Sequence, residues 1–201
     1  MPWQPLLAFW FGELVDGFAD ASHRKRWFAG GPEFDAELGE RFGALIDAAL
    51  TGRLEAWLDE PRGRLAYVLV TDQLTRNVHR GTANAFAGDA LALAAATDAV
   101  ASGDDTALQV DERCFLYMPF EHSERLLDQH TCVGLFSELL TNSSANGDAR
   151  IASYLDYAHE HRDIIRRFGR FPHRNALLGR TNTAAEDEFL ASGKNFGQAS
   201  S

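Results

Sequence analysis

Apolar residues recur along this chain at three- and four-residue spacing, and no stretch alternates with the period of two that marks a strand. After Gly31-Pro32, residues Phe34, Leu38, Phe42, Leu45, Ile46 and Ala49 share one helical face, and Gly52 ends the run. Pro61, with acidic residues just before it, is placed to start the next helix. That helix runs through GRLAYVLVTDQLTRNVH and closes at Gly81. Thr82 can then cap an alanine-rich helix reaching about Ser102. A further helix opens near Asp111 and meets Pro119, and another spans roughly Ser123 to Leu140. Beyond the polar loop TNSSANGD, a helix covers about Ala149 to Phe168. Thr183 followed by Glu186 reads as the capping box of a short terminal helix.

Helices joined by short turns lie antiparallel to their neighbours. The pattern therefore predicts an all-α fold, an array of about seven to nine antiparallel helices arranged as a bundle or as a solenoid of helix pairs. At 201 residues the chain suits one all-helical domain over 1–192, with a tail at 193–201 expected to fray.

Composition narrows the functional classes. The net charge of -10 argues against nucleic-acid binding, which needs a broad basic surface. No run approaches 18 uninterrupted apolar residues, so no membrane span is expected, and the opening MPWQPLLAFWFGELVDG carries no basic leader. Cys114 and Cys132 form neither a CxxC pair nor a disulfide framework and read as core thiols in a reducing, cytoplasmic setting. The Phe9-Trp10-Phe11 run reads as core packing.

Against this background, charged residues stand where apolar ones belong. In the helix from Arg62, the stripe Leu65, Val68, Leu69 continues into Asp72 and Arg76, flanked by Gln73, Asn77 and Arg80. Such a set is either an internal ion pair that fixes register or the wall of a polar pocket. In MPFEHSE, Pro119 breaks the helix just before Glu121, His122 and Glu124, and a carboxylate beside an imidazole can do acid–base work when burial separates their pKa values. His130 falls on a face with Leu126, Leu127, Val133 and Gly134, the usual setting of a core histidine.

The strongest local signal is HRDIIRRFGRFPHRN. Residues 161–180 carry six arginines against one aspartate in a chain that is acidic overall. Arg162 falls on the stripe of Ile151, Tyr154, Leu155, Ala158 and Ile165, with His161 at its border, so it is expected to point inward and to need an acid or an anionic ligand. Gly169 ends the helix and Phe171-Pro172 sets an extended turn from which Arg170, His173, Arg174 and Asn175 project. Arg166 and Arg167 answer the helix dipole. No metal is expected: HExxH and paired Glu-x-x-His motifs are absent, and His159 and His161 lie on opposite sides of a helix. A trio of His122, His130 and Glu124 is the one conceivable exception. Nucleotide-binding and hydrolase fingerprints are also absent, and no cofactor is expected.

The segments FWFG at 9–12, DQLTRNVHRGT at 72–82, PFEHSE at 119–124 and HRDIIRRFGRFPHRN at 161–175 together resemble the bacterial family known as domain of unknown function 924. Leu74 stands where that family carries phenylalanine. The resemblance spans nearly the whole chain. It implies a fold like tetratricopeptide-type helical repeats, a right-handed superhelix, and brings no activity, substrate or catalytic residue.

Two functional readings follow. In the first, the three motif segments meet around a cavity for a small anionic molecule. Asp72, Arg76, Asn77, Arg80, Glu124, His161, Arg162, Arg170 and Arg174 are the ligand-binding candidates, with Glu121, His122 and His173 as acid–base groups of metal-independent chemistry. In the second, the same residues line an open groove for an acidic peptide and catalyse nothing. Oligomeric state is not legible.

Overall fold

The computed structural model describes residues 1–143 and 148–191, so the centre of the TNSSANGD loop and the tail at 193–201 lie outside the described residues. The fold is all-α. Its helices are α1 (Gln4–Phe11), α2 (Ala21–Ala29), α3 (Gly31–Leu50), α4 (Pro61–Val68), α5 (Thr75–Val78), α6 (Asp89–Ser102), α7 (Val110–His122), α8 (Leu126–Thr141), α9 (Asp148–Phe168) and α10 (Ala184–Leu190).

The expected apolar face of α3 is buried through Phe34, Leu38, Phe42, Ile46 and Ala49, with Leu45 at its edge. The opening aromatics are core, as their pattern suggests: Trp10 and Phe11 are buried and meet Phe115 edge-on. α8 packs between α7 and α9.

α4 and α5 are two ends of one central helix, joined by a wide π-helical segment, Leu69–Leu74. Every residue from 65 to 72 is buried, because α3, α6 and α7 enclose this helix. The widened turns loosen the regular backbone ladder, and side chains take up its carbonyls. Thr71 donates to Tyr67 O (2.8 Å), Thr75 to Thr71 O (2.7 Å), Arg76 to Asp72 O (3.0 Å) and Asn77 to Gln73 O (2.8 Å). Each bond reaches back four residues, so the run T-x-x-x-T-R-N supplies what the π geometry takes away.

Several boundaries depart from the sequence pattern. The alanine-rich helix starts at Asp89, and Ala83–Phe86 is a separate 3-10 turn. The cause is Gly88, whose α-carbon passes so close to the central helix that a Cβ there would stand 2.0 Å from Thr71 O. Residues Ala83–Ser102 together have the length and mean hydropathy (1.2) of a short membrane helix. They are nonetheless broken at Gly88, and Ala92, Ala95, Ala96 and Ala99 are buried in the core. α7 opens on a Gln109–Glu112 capping box and runs through Pro119 to His122, because packing on all sides from Cys114 to Glu121 outweighs the lost backbone bond. Past its end, Gln129 Nε2 donates toward Glu121 O (2.6 Å) and Ser123 O (2.7 Å), closing the turn into α8.

The face expected to bury His130 instead points outward, with His130, Leu126 and Leu127 exposed, while Asp128, Gln129 and Cys132 face inward. On α9 the inward stripe is Ile151, Tyr154, Ala158, His161 and Ile165. Ile151, Tyr154, Ala158 and Ile165 lie as expected, but at the next place His161 is inside and Arg162 at the margin.

Candidate functional site

Five elements deliver one charged or titratable side chain each to a common point. Asp72 comes from the π segment, Arg76 from α5, Asp89 from the start of α6, His122 from the end of α7 and Arg174 from the 3-10 turn Pro172–Arg174. They surround a cavity of about 310 Å³ whose polar lining is Asp72, Asp89, His122, Ser123, Glu124 and Arg174. Phe86, Leu93, Pro119 and Leu178 form an apolar wall. A second hollow of about 640 Å³ over α2, among Ser22, Lys25, Arg26, Ala29 and Gly30, holds no acid–base pair.

Asp72 is the hub. Its Oδ1 lies 2.7 Å from Arg76 Nη1 and 2.8 Å from His122 Nδ1, and its Oδ2 accepts from Gln73 Nε2 at 2.6 Å. Burial alone would raise its pKa, but Arg76 and His122 hold the carboxyl well below the usual carboxylate range. Since an ionised carboxylate only accepts hydrogen bonds, His122 Nδ1 carries the proton and Nε2 keeps its lone pair. Burial and Arg76 hold the His122 pKa down, so the ring rests neutral. This is a carboxylate–imidazole pair in the wall of a pocket, arranged as a general base.

The two guanidinium groups share Asp89. Its Oδ1 is 2.9 Å from Arg76 Nη1, while its Oδ2 makes a longer contact of 3.4 Å with Arg174 Nη1. Arg174 lies with its guanidinium carbon 4.8 Å from the Phe86 ring centre and 4.5 Å from that of Phe171, and donates to His122 O at 2.9 Å. Burial and the neighbouring Arg76 lower its pKa to about 10. Arg76 Nη2 and Arg174 Nε are buried and find no hydrogen-bond partner among the described residues.

Behind the pocket lies a layer of neutralised titratable groups. His161 Nδ1 donates to Tyr157 O at 2.9 Å and sits 3.5 Å from Glu121 Oε1. Burial, together with the Asp72 charge, pushes the Glu121 carboxyl up to about 8. Burial holds His161 near 3, and burial with Arg174 does the same to His173.

These shifts fix a pH dependence of stability. From about pH 3 to 6.5 the unfolded chain binds protons on His161 and His173 that the folded chain refuses, so stability climbs with pH. From about 4.5 to 8 the folded chain keeps a proton on Glu121 that the unfolded chain releases, which acts in the opposite direction. Two histidines outweigh one glutamate below pH 6.5, and above it only Glu121 acts. Stability is therefore expected to peak near pH 6.5 and to fall at up to about 1.4 kcal/mol per pH unit toward pH 8. Urea unfolding at pH 5, 6.5 and 8 measures this. Glu121→Gln should erase the alkaline decline, and an unchanged decline in that variant would remove Glu121 as its source.

Comparison with known proteins identifies the group to which this site belongs. Residues 6–194 match the family described as bacterial protein of unknown function (DUF924). The chain belongs to that family. It is also similar to a solved protein of unknown function from Agrobacterium tumefaciens, at 38% identity and a TM-score of 0.75, covering 84% of this chain and 90% of that one. No curated protein matches it.

In this DUF924 chain, the motif residues divide by position. Asp72, His122, Glu124 and Arg174 reach the cavity, and Arg76 stands directly behind Asp72 and Asp89. Glu124 is committed to structure, since it accepts from Phe171 N (2.8 Å) and from both terminal nitrogens of Arg180 (2.7 and 3.0 Å). Glu121, His161 and His173 form the layer described above and are not part of the cavity wall. Asn77 bonds Gln73 O and accepts from Arg80, which forks onto Asp35 at 2.7 and 3.1 Å.

Two arginines depart from expectation. Arg162 does not turn inward; it pairs with its neighbour Asp163 at 3.0 Å, because His161 takes the inward place on α9. Arg170 forks onto Glu186 at 2.7 and 2.8 Å and ties α10 to the turn. The trio His122, His130 and Glu124 is not assembled, because His130 faces outward. Sequence reasoning missed Asp89 and Phe86. The available signal was the pair Gly88-Asp89 interrupting an otherwise apolar run, a glycine–acid step that suits a close-packed helix start.

Proposed function

We propose that the pocket binds a small molecule through a carboxylate or phosphate group, and that the Asp72–His122 pair accepts a proton from that molecule or from a water beside it. The observation that carries this reading is the buried guanidinium of Arg174 in the cavity lining, whose Nε meets no acceptor among the described residues. A buried donor left unsatisfied costs about 1–3 kcal/mol, which an anionic ligand oxygen would return. The start of α6 adds to this attraction: it has no side-chain cap, and helix N-termini favour negative charge. His122 supplies the base, since Nδ1 faces Asp72 and Nε2 makes no hydrogen bond among the described residues.

A cavity of about 310 Å³ favours a small molecule over the rival occupant, an acidic peptide, because peptides need a longer groove. We further place the protein in the cytoplasm, where its two buried free thiols stay reduced.

Titration calorimetry with short-chain carboxylates and inorganic phosphate at pH 7 tests the binding half. Arg174→Ala should weaken binding about ten- to hundredfold, and Arg174→Lys should recover part of it. His122→Ala should retain binding, because the proposed base is separate from the arginine that holds the anion. Equal affinities of wild type and folded Arg174→Ala for every anion would end this reading.

A further inference from the structure

We infer that the ligand is a zwitterion, a free α-amino acid with a small apolar side chain, whose carboxylate and ammonium insert between Arg174 and Asp89. This rests on the anion-binding reading above and narrows it. The argument begins with charge. The site contains Asp72 and Asp89 against Arg76 and Arg174, and Glu124 is matched by Arg180, so the ionised groups already cancel. A simple anion would leave this low-dielectric site with one uncompensated negative charge, a costly arrangement away from water. A ligand carrying one charge of each sign leaves it neutral.

Geometry says where the two charges go. The Asp89–Arg174 contact, at 3.4 Å, is the stretched member of the network, beside pairs of 2.7 and 2.9 Å. Both residues line the cavity. Asp89 keeps 27% of its side chain exposed, while Arg174 is almost wholly buried with Nε unused. A carboxylate arriving at Arg174 would displace Asp89 Oδ2 from Nη1. The displaced carboxylate oxygen would then take the ligand's ammonium. Asp89 Oδ1 stays with Arg76, so the network behind the wall is undisturbed.

Because Asp89 and Arg174 are already in contact, the inserted charges must lie close together. That condition selects groups on one carbon over groups at two ends of a chain. The rest of the molecule would lie on Phe86, Leu93, Pro119 and Leu178, which line the same cavity. The cavity is at the small end of the usual range of about 300–1,000 Å³, which limits the side chain to a few carbons.

Four ligands of matched skeleton separate the possibilities by titration calorimetry on the wild-type protein at pH 7: norvaline, 5-aminopentanoate, pentanoate and butylamine. Norvaline is expected to bind at least about tenfold more tightly than each of the others. In Asp89→Asn the ratio of norvaline to pentanoate affinity should fall to near one, whatever happens to the absolute values. Pentanoate binding as tightly as norvaline to the wild type would overturn the zwitterion inference and leave the anion-binding reading standing. Butylamine binding tightest would overturn it in favour of a cation site. No binding by any of the four, nor by phosphate, would remove both.

Discussion

Asp72→Ala is expected to lower stability by about 3–5 kcal/mol at pH 7, read as a fall in the urea midpoint without a change in slope. The size follows from what the substitution strands rather than from the bonds it deletes. Asp72 has 1% of its side chain exposed and is the counter-charge of Arg76 and the acceptor of His122. Removing it leaves a buried guanidinium with only the shared Asp89, and a neutral imidazole whose Nδ1 proton has no acceptor. Asp72→Asn should cost less, because the amide oxygen can still accept one bond. A loss below about 1 kcal/mol for the alanine variant would mean that solvent reaches Arg76 freely, contrary to its 11% exposure.

Gly88→Ala is expected to be as damaging, by a route that involves no charge. A Cβ at this position would meet Thr71 O at 2.0 Å and the Thr71 carbonyl carbon at 2.8 Å, and both are backbone atoms of the central helix that cannot rotate away. Overpacking in cores costs about 1–3 kcal/mol, and a backbone clash of this depth belongs at or above the top of that range. For a chain of this size each kcal/mol moves Tm by about 2–4 °C, so a fall near 10 °C is expected. Because Asp89 follows directly, backing α6 away would also stretch the Asp89–Arg76 pair, and anion affinity should drop alongside Tm. A Tm within 2 °C of wild type would show that α6 can back away at little cost.

These two residues also mark where sequence legibility ends. Asp72 was legible because a charged pair, Asp72 and Arg76, continuing an apolar stripe at helical spacing has few explanations, and the structure places Asp72 at 0% exposure. Gly88 and Asp89 were not, because helix propensity over 82–102 is high enough to hide a break imposed by a neighbour some seventeen residues earlier. The α9 stripe shows a related weakness. Periodicity fixes which residues share a face only to within one position, and Arg162 and His161 are adjacent, so the choice between them falls to packing against α7 and α8. His161 wins there because a neutral imidazole, donating to Tyr157 O, can be buried more cheaply than a guanidinium. Arg170 looked like a member of a ligand cluster because composition records charges and not partners. Glu186, on the short helix that follows, already holds it.

The wide segment Leu69–Leu74 has the character of a retained insertion. A π turn accommodates about one residue more than the α-helical turn it replaces. Everything after it is consequently set back in phase, and Arg76 and Asn77 occupy bearings that an uninterrupted helix would give to their neighbours. Deleting one residue from this segment would yield a more regular helix, with stronger backbone bonds and a better local geometry. It would also swing α5 round by about 100°, a single residue's rotation, and carry Arg76 off its partners. The chain thus retains a locally inferior helix whose irregularity holds its charged residues in alignment.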